Sequence, residues 1–116
     1  RILSELAWRL NTKPLKLKVR IHGLDRYGFA RAPVVVEIAP TILIKLQFKH
    51  KINLSLIRAA LEQTPDKIVR SDRADDRVEM YYYGDNSKIM LTIVLGRLEE
   101  NNTTSLVTSY FTQRLD

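Results

Sequence analysis

The chain has 116 residues, of which 45% are hydrophobic, with no cysteine and a formal net charge of +6. That size and apolar content suit one domain with a real core. Lack of cysteine excludes disulfides and thiolate chemistry, and two histidines among scattered carboxylates show no metal-ligand spacing, so no cofactor or metal is expected. No apolar run is long enough to span a membrane and no signal-peptide pattern is present, so no membrane is expected as a partner. The chain begins at Arg1 rather than Met, as expected of a processed or excised polypeptide. Its charge is uneven. Residues 1–58 hold twelve Lys/Arg against Glu5, Asp25 and Glu37, a net of +9, whereas residues 59–116 hold seven against ten acids, a net of −3. A field concentrated in this way steers a polyanion such as nucleic acid, or an acidic protein surface, toward the first half.

Taken in order, Ile2, Leu3, Leu6 and Leu10 have helical spacing and predict a short amphipathic helix in which Trp8 packs. Residues 15–22 alternate strictly. Leu15, Leu17, Val19 and Ile21 share one face and Lys16, Lys18, Arg20 and His22 the other, which predicts a half-buried strand with a basic solvent face. Turn residues from Gly23 to Gly28 lead to a second strand, 34–38, so 15–38 reads as a hairpin with a long tip. The tip carries Arg26, Tyr27, Phe29 and Arg31, and basic residues interleaved with aromatics suit a phosphate backbone and an unpaired base as well as an ordinary loop.

Pro40 opens a helix or buried connector through Ile42, Leu43, Ile44, Leu46 and Phe48. It leads into Lys49-His50-Lys51, and a helix over 54–63 follows, with Asn53 as N-cap and Pro65 as stop. The lysines beside His50 favour a neutral imidazole, as a base acting on a phosphodiester requires; the plain alternative is a histidine among solvated lysines. Lys67 to Ser71 is expected to be extended, and residues 72–77 to form a charged turn. Val78–Tyr83 reads as a strand, with Tyr81, Tyr82 and Tyr83 as cross-strand packing, followed by a turn at Gly84-Asp85-Asn86. Residues 88–97 read as the central, most apolar strand. In the last strand, 104–112, alternation places Val107, Ser109 and Phe111 on one face and Leu106, Thr108, Tyr110 and Thr112 on the other. The expected fold is α+β: helices packed on a four-stranded antiparallel meander sheet, preceded by a basic helix and β-hairpin.

A helix, then Thr64-Pro65-Asp66-Lys67-Ile68-Val69, then Tyr81-Tyr82-Tyr83, an apolar strand and Val107-Thr108-Ser109-Tyr110 form a series that resembles the barnase/EndoU/colicin/RelE group of ribonuclease toxins. The resemblance is to the phage and polymorphic-toxin branch and covers roughly residues 41–114. Lys49-His50-Lys51 before a helix and Pro-Asp is similar to the BrnT toxins of that group, although their C-terminal arginine pattern is absent. The resemblance divides the single domain into residues 1–39, a helix and basic hairpin, and 40–116, a RelE/barnase-like core. It implies a metal-independent ribonuclease toxin acting on RNA in the cytoplasm, either in a toxin/antitoxin pair or delivered into a target cell by a larger toxin. An acidic antitoxin or immunity protein is the implied partner.

Such cleavage needs a base for the ribose hydroxyl, cations for the charged phosphorane and an acid for the leaving oxygen. By resemblance His50 is the base or acid, and Thr108 and Tyr110, two apart on one strand, match the Thr-x-Tyr pair that contacts phosphate or base. Arg70, Arg77 and Arg114 are the phosphate ligands it suggests. Lys49, Lys51, Lys16, Lys18, Arg20 and Arg26 are the further substrate-binding cations. Two other readings stand beside this one: a non-catalytic nucleic-acid-binding module of the same fold, and a protein-interaction domain.

Overall fold

A computed structural model describes residues 13–22, 33–70, 77–84, 88–99 and 101–113. The expected helix at 2–10, the hairpin tip with Arg26, and Arg114 lie outside the described residues. The described chain forms strand β1 (Leu15–Val19), strand β2 (Val34–Ile38), helix α1 (Pro40–Ile44) and a π-helical turn (Lys45–Lys49), followed by helix α2 (Leu54–Leu61). Strands β3 (Lys67–Arg70), β4 (Val78–Tyr83), β5 (Ile89–Leu95) and β6 (Thr103–Gln113) complete it.

All strands join one six-stranded sheet in the order β1-β2-β6-β5-β4-β3. This corrects the expected architecture. The hairpin does not precede a separate four-stranded antiparallel meander: β2 hydrogen-bonds to β6 in parallel over Val35–Glu37 and Thr103–Ser105, which makes the sheet mixed. The other neighbouring pairs are antiparallel. The physical reason is burial. Val34, Val36 and Ile38 are wholly buried and enter the same core cluster as Ile93 and Leu95, so β2 is an interior strand and cannot serve as part of a detached arm.

Local chemistry explains the helices. Asn53 caps α2 by accepting the Leu56 N–H at 2.9 Å, and Ile57, Ala60 and Leu61 face the core. Pro40 starts α1, where a missing N–H costs nothing. The π-helical turn closes with the His50 N–H donating to the Lys45 carbonyl (3.0 Å) and the Ile52 N–H to the Leu46 carbonyl (2.8 Å). Lys51, at φ 58, takes the left-handed conformation just after the π-helical turn and before α2. α2 also shields the outer edge of the sheet: the Arg58 guanidinium donates to the Lys18 carbonyl at 2.7 Å, and the His22 N–H to the Leu61 carbonyl at 3.3 Å.

The register sorts residues onto two faces. Ile68, Val78, Met80, Tyr82, Leu91, Ile93, Leu95 and Ser109 share the face packed with Leu46, Ile52, Ile57 and Leu61. The opposite, outer face carries Lys67, Glu79, Tyr81, Tyr83, Thr92, Val94, Thr108 and Tyr110. In β6 the expected alternation breaks. Val94 faces Thr108 but Leu95 faces Leu106, so Val107 is an extra residue in a bulge, and Leu106 is buried in the core rather than sharing a face with Thr108.

Candidate nucleic-acid interface

The outer face is centred on β5 and β6. Tyr81, Thr92 and Tyr110 lie directly across from one another on β4, β5 and β6, with Lys67 continuing the row onto β3. The next row holds Val69, Glu79, Val94 and Thr108. Tyr81 and Tyr110 are half-buried, whereas Thr92 between them is fully buried and its hydroxyl has no hydrogen-bond partner among the described residues. A buried hydroxyl in that condition carries a desolvation penalty of about 1–3 kcal/mol. Ser109, on the covered face, donates to the Thr92 backbone carbonyl at 2.8 Å and so ties β5 to β6 beneath this row.

His50 reaches the same place from the π-helical turn. Its ring centroid is 6.3 Å from that of Tyr110, with the planes tilted by 44°. The contact arises because β2 covers β6 only over Thr103–Ser105, and α1 with the π-helical turn lies against β6 as well. Turns of this wider type recur at functional sites because they project one residue out of helical register. Lys49 and Lys51, on either side of His50, are exposed, and Phe48 beside them is 54% exposed. Among the described residues the His50 side chain has the Tyr110 ring as its neighbour and no hydrogen-bonding partner.

Burial first, and then the charge of Glu79, raise the pKa of the Tyr81 hydroxyl above its ordinary 10.0; Tyr110 and Tyr83 act in the same direction. Tyr81 is therefore a neutral donor at neutral pH. Glu79, Tyr81 and Thr92 were not singled out as site residues in the sequence. Alternation along Val78–Tyr83 does place Glu79 and Tyr81 on one side, but their alignment with Tyr110 depends on pairing through β5.

The remaining expected residues divide by position. Lys16 and Lys18 are exposed on the outer face of β1, and the alternation continues with Arg20 exposed and Ile21 buried, so the basic face of the hairpin belongs to the same side of the sheet as Thr108 and Tyr110. Lys16 lies opposite Glu37, which in turn lies opposite Ser105. Arg70 is on edge strand β3 opposite Val78, which gives it the parity of the covered face. Arg77 precedes β4 and is exposed. Neither arginine is brought into the row of Tyr81, Thr92 and Tyr110.

A groove of about 580 Å³ opens on the covered side, lined by Leu56, Ala59, Tyr82, Ile89 and Phe111 among others, and it shares no residue with the His50–Tyr110 site. Among the described residues no group of three or more His, Asp or Glu side chains is placed to hold a metal ion, and no helix is long and apolar enough to cross a membrane. No family model, curated protein or solved structure matches the chain.

Proposed function

We propose that this protein is a metal-independent ribonuclease whose site is formed where His50 meets Tyr110 on the outer face of the sheet. The observation that carries the reading is that contact: an imidazole from the helical connector and a phenol from the last strand converge at 6.3 Å, beside two exposed lysines. In the reaction, the ribose 2′ oxygen attacks phosphorus as a base removes its proton. The P–O5′ bond breaks as an acid protonates the leaving oxygen, and the products are a 2′,3′-cyclic phosphate and a 5′-hydroxyl. His50 is the group proposed to move the proton, since an imidazole can both accept and donate one. The hydroxyls of Tyr110 and Thr108 are donors for the phosphate oxygens, and Lys49 and Lys51 supply positive charge where the phosphorane gains negative charge. The resemblance to ribonuclease toxins rests on the motifs around these residues and adds to the reading. On it, the protein acts on cytoplasmic RNA, and an acidic antitoxin or immunity protein covers the basic side that includes Lys16, Lys18 and Arg20.

A second reading, RNA binding without cleavage, is favoured by the absence, among the described residues, of a group that hydrogen-bonds to and orients His50. One experiment separates the two: incubation of wild type and His50→Ala with RNA in EDTA, with analysis of the fragment ends. Cleavage to cyclic-phosphate ends, reduced about 10²–10⁴-fold in the variant, is the expected result. Salt-sensitive binding without cleavage by either protein establishes the second reading instead.

A further inference from the structure

We infer that Tyr81 and Tyr110 are paired stacking platforms which hold unpaired bases on either side of β5, so that the site takes single-stranded RNA. This deepens the ribonuclease reading and rests on it. Three observations carry the inference. First, the two tyrosines lie in one cross-strand row on the outer face, separated by Thr92, and both rings are partly exposed. Every base presents a π face to such a ring, so stacking there tolerates any sequence.

Second, the spacing selects against a duplex. Residues two strands apart in a sheet are separated by about 10 Å, whereas stacked bases follow one another at about 3.4 Å along a strand. Neighbouring bases of a helix therefore cannot occupy both rings, but a splayed single strand can. Third, the face is complementary in charge to a sugar-phosphate backbone. Lys67 extends the tyrosine row at one edge of the sheet, exposed Lys16 and Lys18 stand on the same face at the other, and Lys49 and Lys51 flank His50. The exception within the rows is Glu79, two residues from Tyr81 on the same face of β4. Its carboxylate is an acceptor placed beside a stacked base, where exocyclic amines are the matching donors.

The test uses a 2′-O-methyl oligoribonucleotide, which lacks the free 2′ hydroxyl needed for cleavage, both as a single strand and annealed to its complement. Affinities are measured for wild type and for Tyr81→Leu, Tyr81→Phe, Tyr110→Leu and Tyr110→Phe, each first shown to unfold cooperatively. The single strand is expected to bind at least about tenfold more tightly than the duplex. Each leucine variant should lose about 5- to 100-fold in single-strand affinity, while Tyr81→Phe, which keeps the ring, stays within about threefold of wild type. Tyr110→Phe keeps the ring but loses the hydroxyl proposed to donate to phosphate, and should lose less affinity than Tyr110→Leu. Equal affinity for duplex and single strand overturns the inference, as do leucine variants that bind like wild type. If wild type nevertheless cleaves RNA, the ribonuclease reading survives that outcome. Absence of both binding and cleavage by wild type overturns both.

Discussion

On the covered face of the sheet Met80, Ile93 and Leu95 are wholly buried in one cluster with Ile57 and Leu61 of α2. One residue further along the same strands, the outer face carries half-buried Glu79, Tyr81, Thr108 and Tyr110 around the fully buried Thr92, which are carboxylate, phenol and hydroxyl groups rather than cations or an imidazole. Those come from Lys49, His50 and Lys51 at the end of the π-helical turn. Because side chains alternate along a regular strand, a step of one residue moves a side chain from the covered face to the outer face, where the proposed site lies. Substitutions at adjacent positions should therefore have separable consequences.

The largest contrast is expected at adjacent positions of β5. Ile93→Ala removes a fully buried side chain and should lower unfolding free energy by about 2–5 kcal/mol in a urea titration. A loss well under 1 kcal/mol would mean that the covered face is not the main core. Thr92→Val, one residue away, should act in the opposite sense. It replaces a buried hydroxyl that has no partner among the described residues with a methyl group, and should raise stability by about 1–3 kcal/mol. Destabilisation in the same titration would reveal that the hydroxyl finds a partner in solution.

A smaller effect is expected at the connector that brings His50 to the outer face. Lys51 holds φ at 58, where a side chain is disfavoured by about 1–2 kcal/mol. Lys51→Gly should relieve about 1 kcal/mol of that cost. If Lys51 also contacts phosphate, the same variant binds RNA more weakly and its log K against log salt slope falls by about 1. A more stable protein with an unchanged salt slope would limit Lys51 to a role in the turn.

The smallest effect distinguishes the tyrosines by face. Tyr82, on the covered face, has its pKa pushed well above 10.0, mainly by burial and then by Asp66, and its hydroxyl donates to the Met80 sulfur at 3.5 Å. Its folded pKa exceeds the unfolded one, so the neutral phenol's contribution is fully present below about pH 10 and is lost as pH rises beyond it. Melting temperature should fall above pH 10 in wild type and fall less steeply in Tyr82→Phe. Identical alkaline slopes would assign the loss to other groups.

Much of the local structure was legible because its causes are local. Alternation marked β1, the valine-rich run after a turn marked the strand at 34–38, Asn53 and Pro65 bracketed α2, and the apolar run at 88–97 marked β5, which lies inside the sheet. Alternation failed at Leu106, since a bulge at Val107 has no distinctive residue to announce it. The π-helical turn was also hidden, because Ile42 to Phe48 carries no proline or glycine at the point where the winding changes. His50 and Tyr110 could be proposed separately from their residue types, but their meeting could not be read from the chain.

Which segments alternate, where α2 begins, and the gathering of positive charge in the first half can all be read from the chain, since each follows from near neighbours or simple composition. Long-range folding sets the parallel pairing of β2 with β6, the shared face of the basic side of β1 with Tyr81 and Tyr110, and the arrival of His50 beside Tyr110. Those outcomes depend on pairing between segments far apart in the chain, where burying Val34, Val36 and Ile38 against the common core selects the register and no local pattern can.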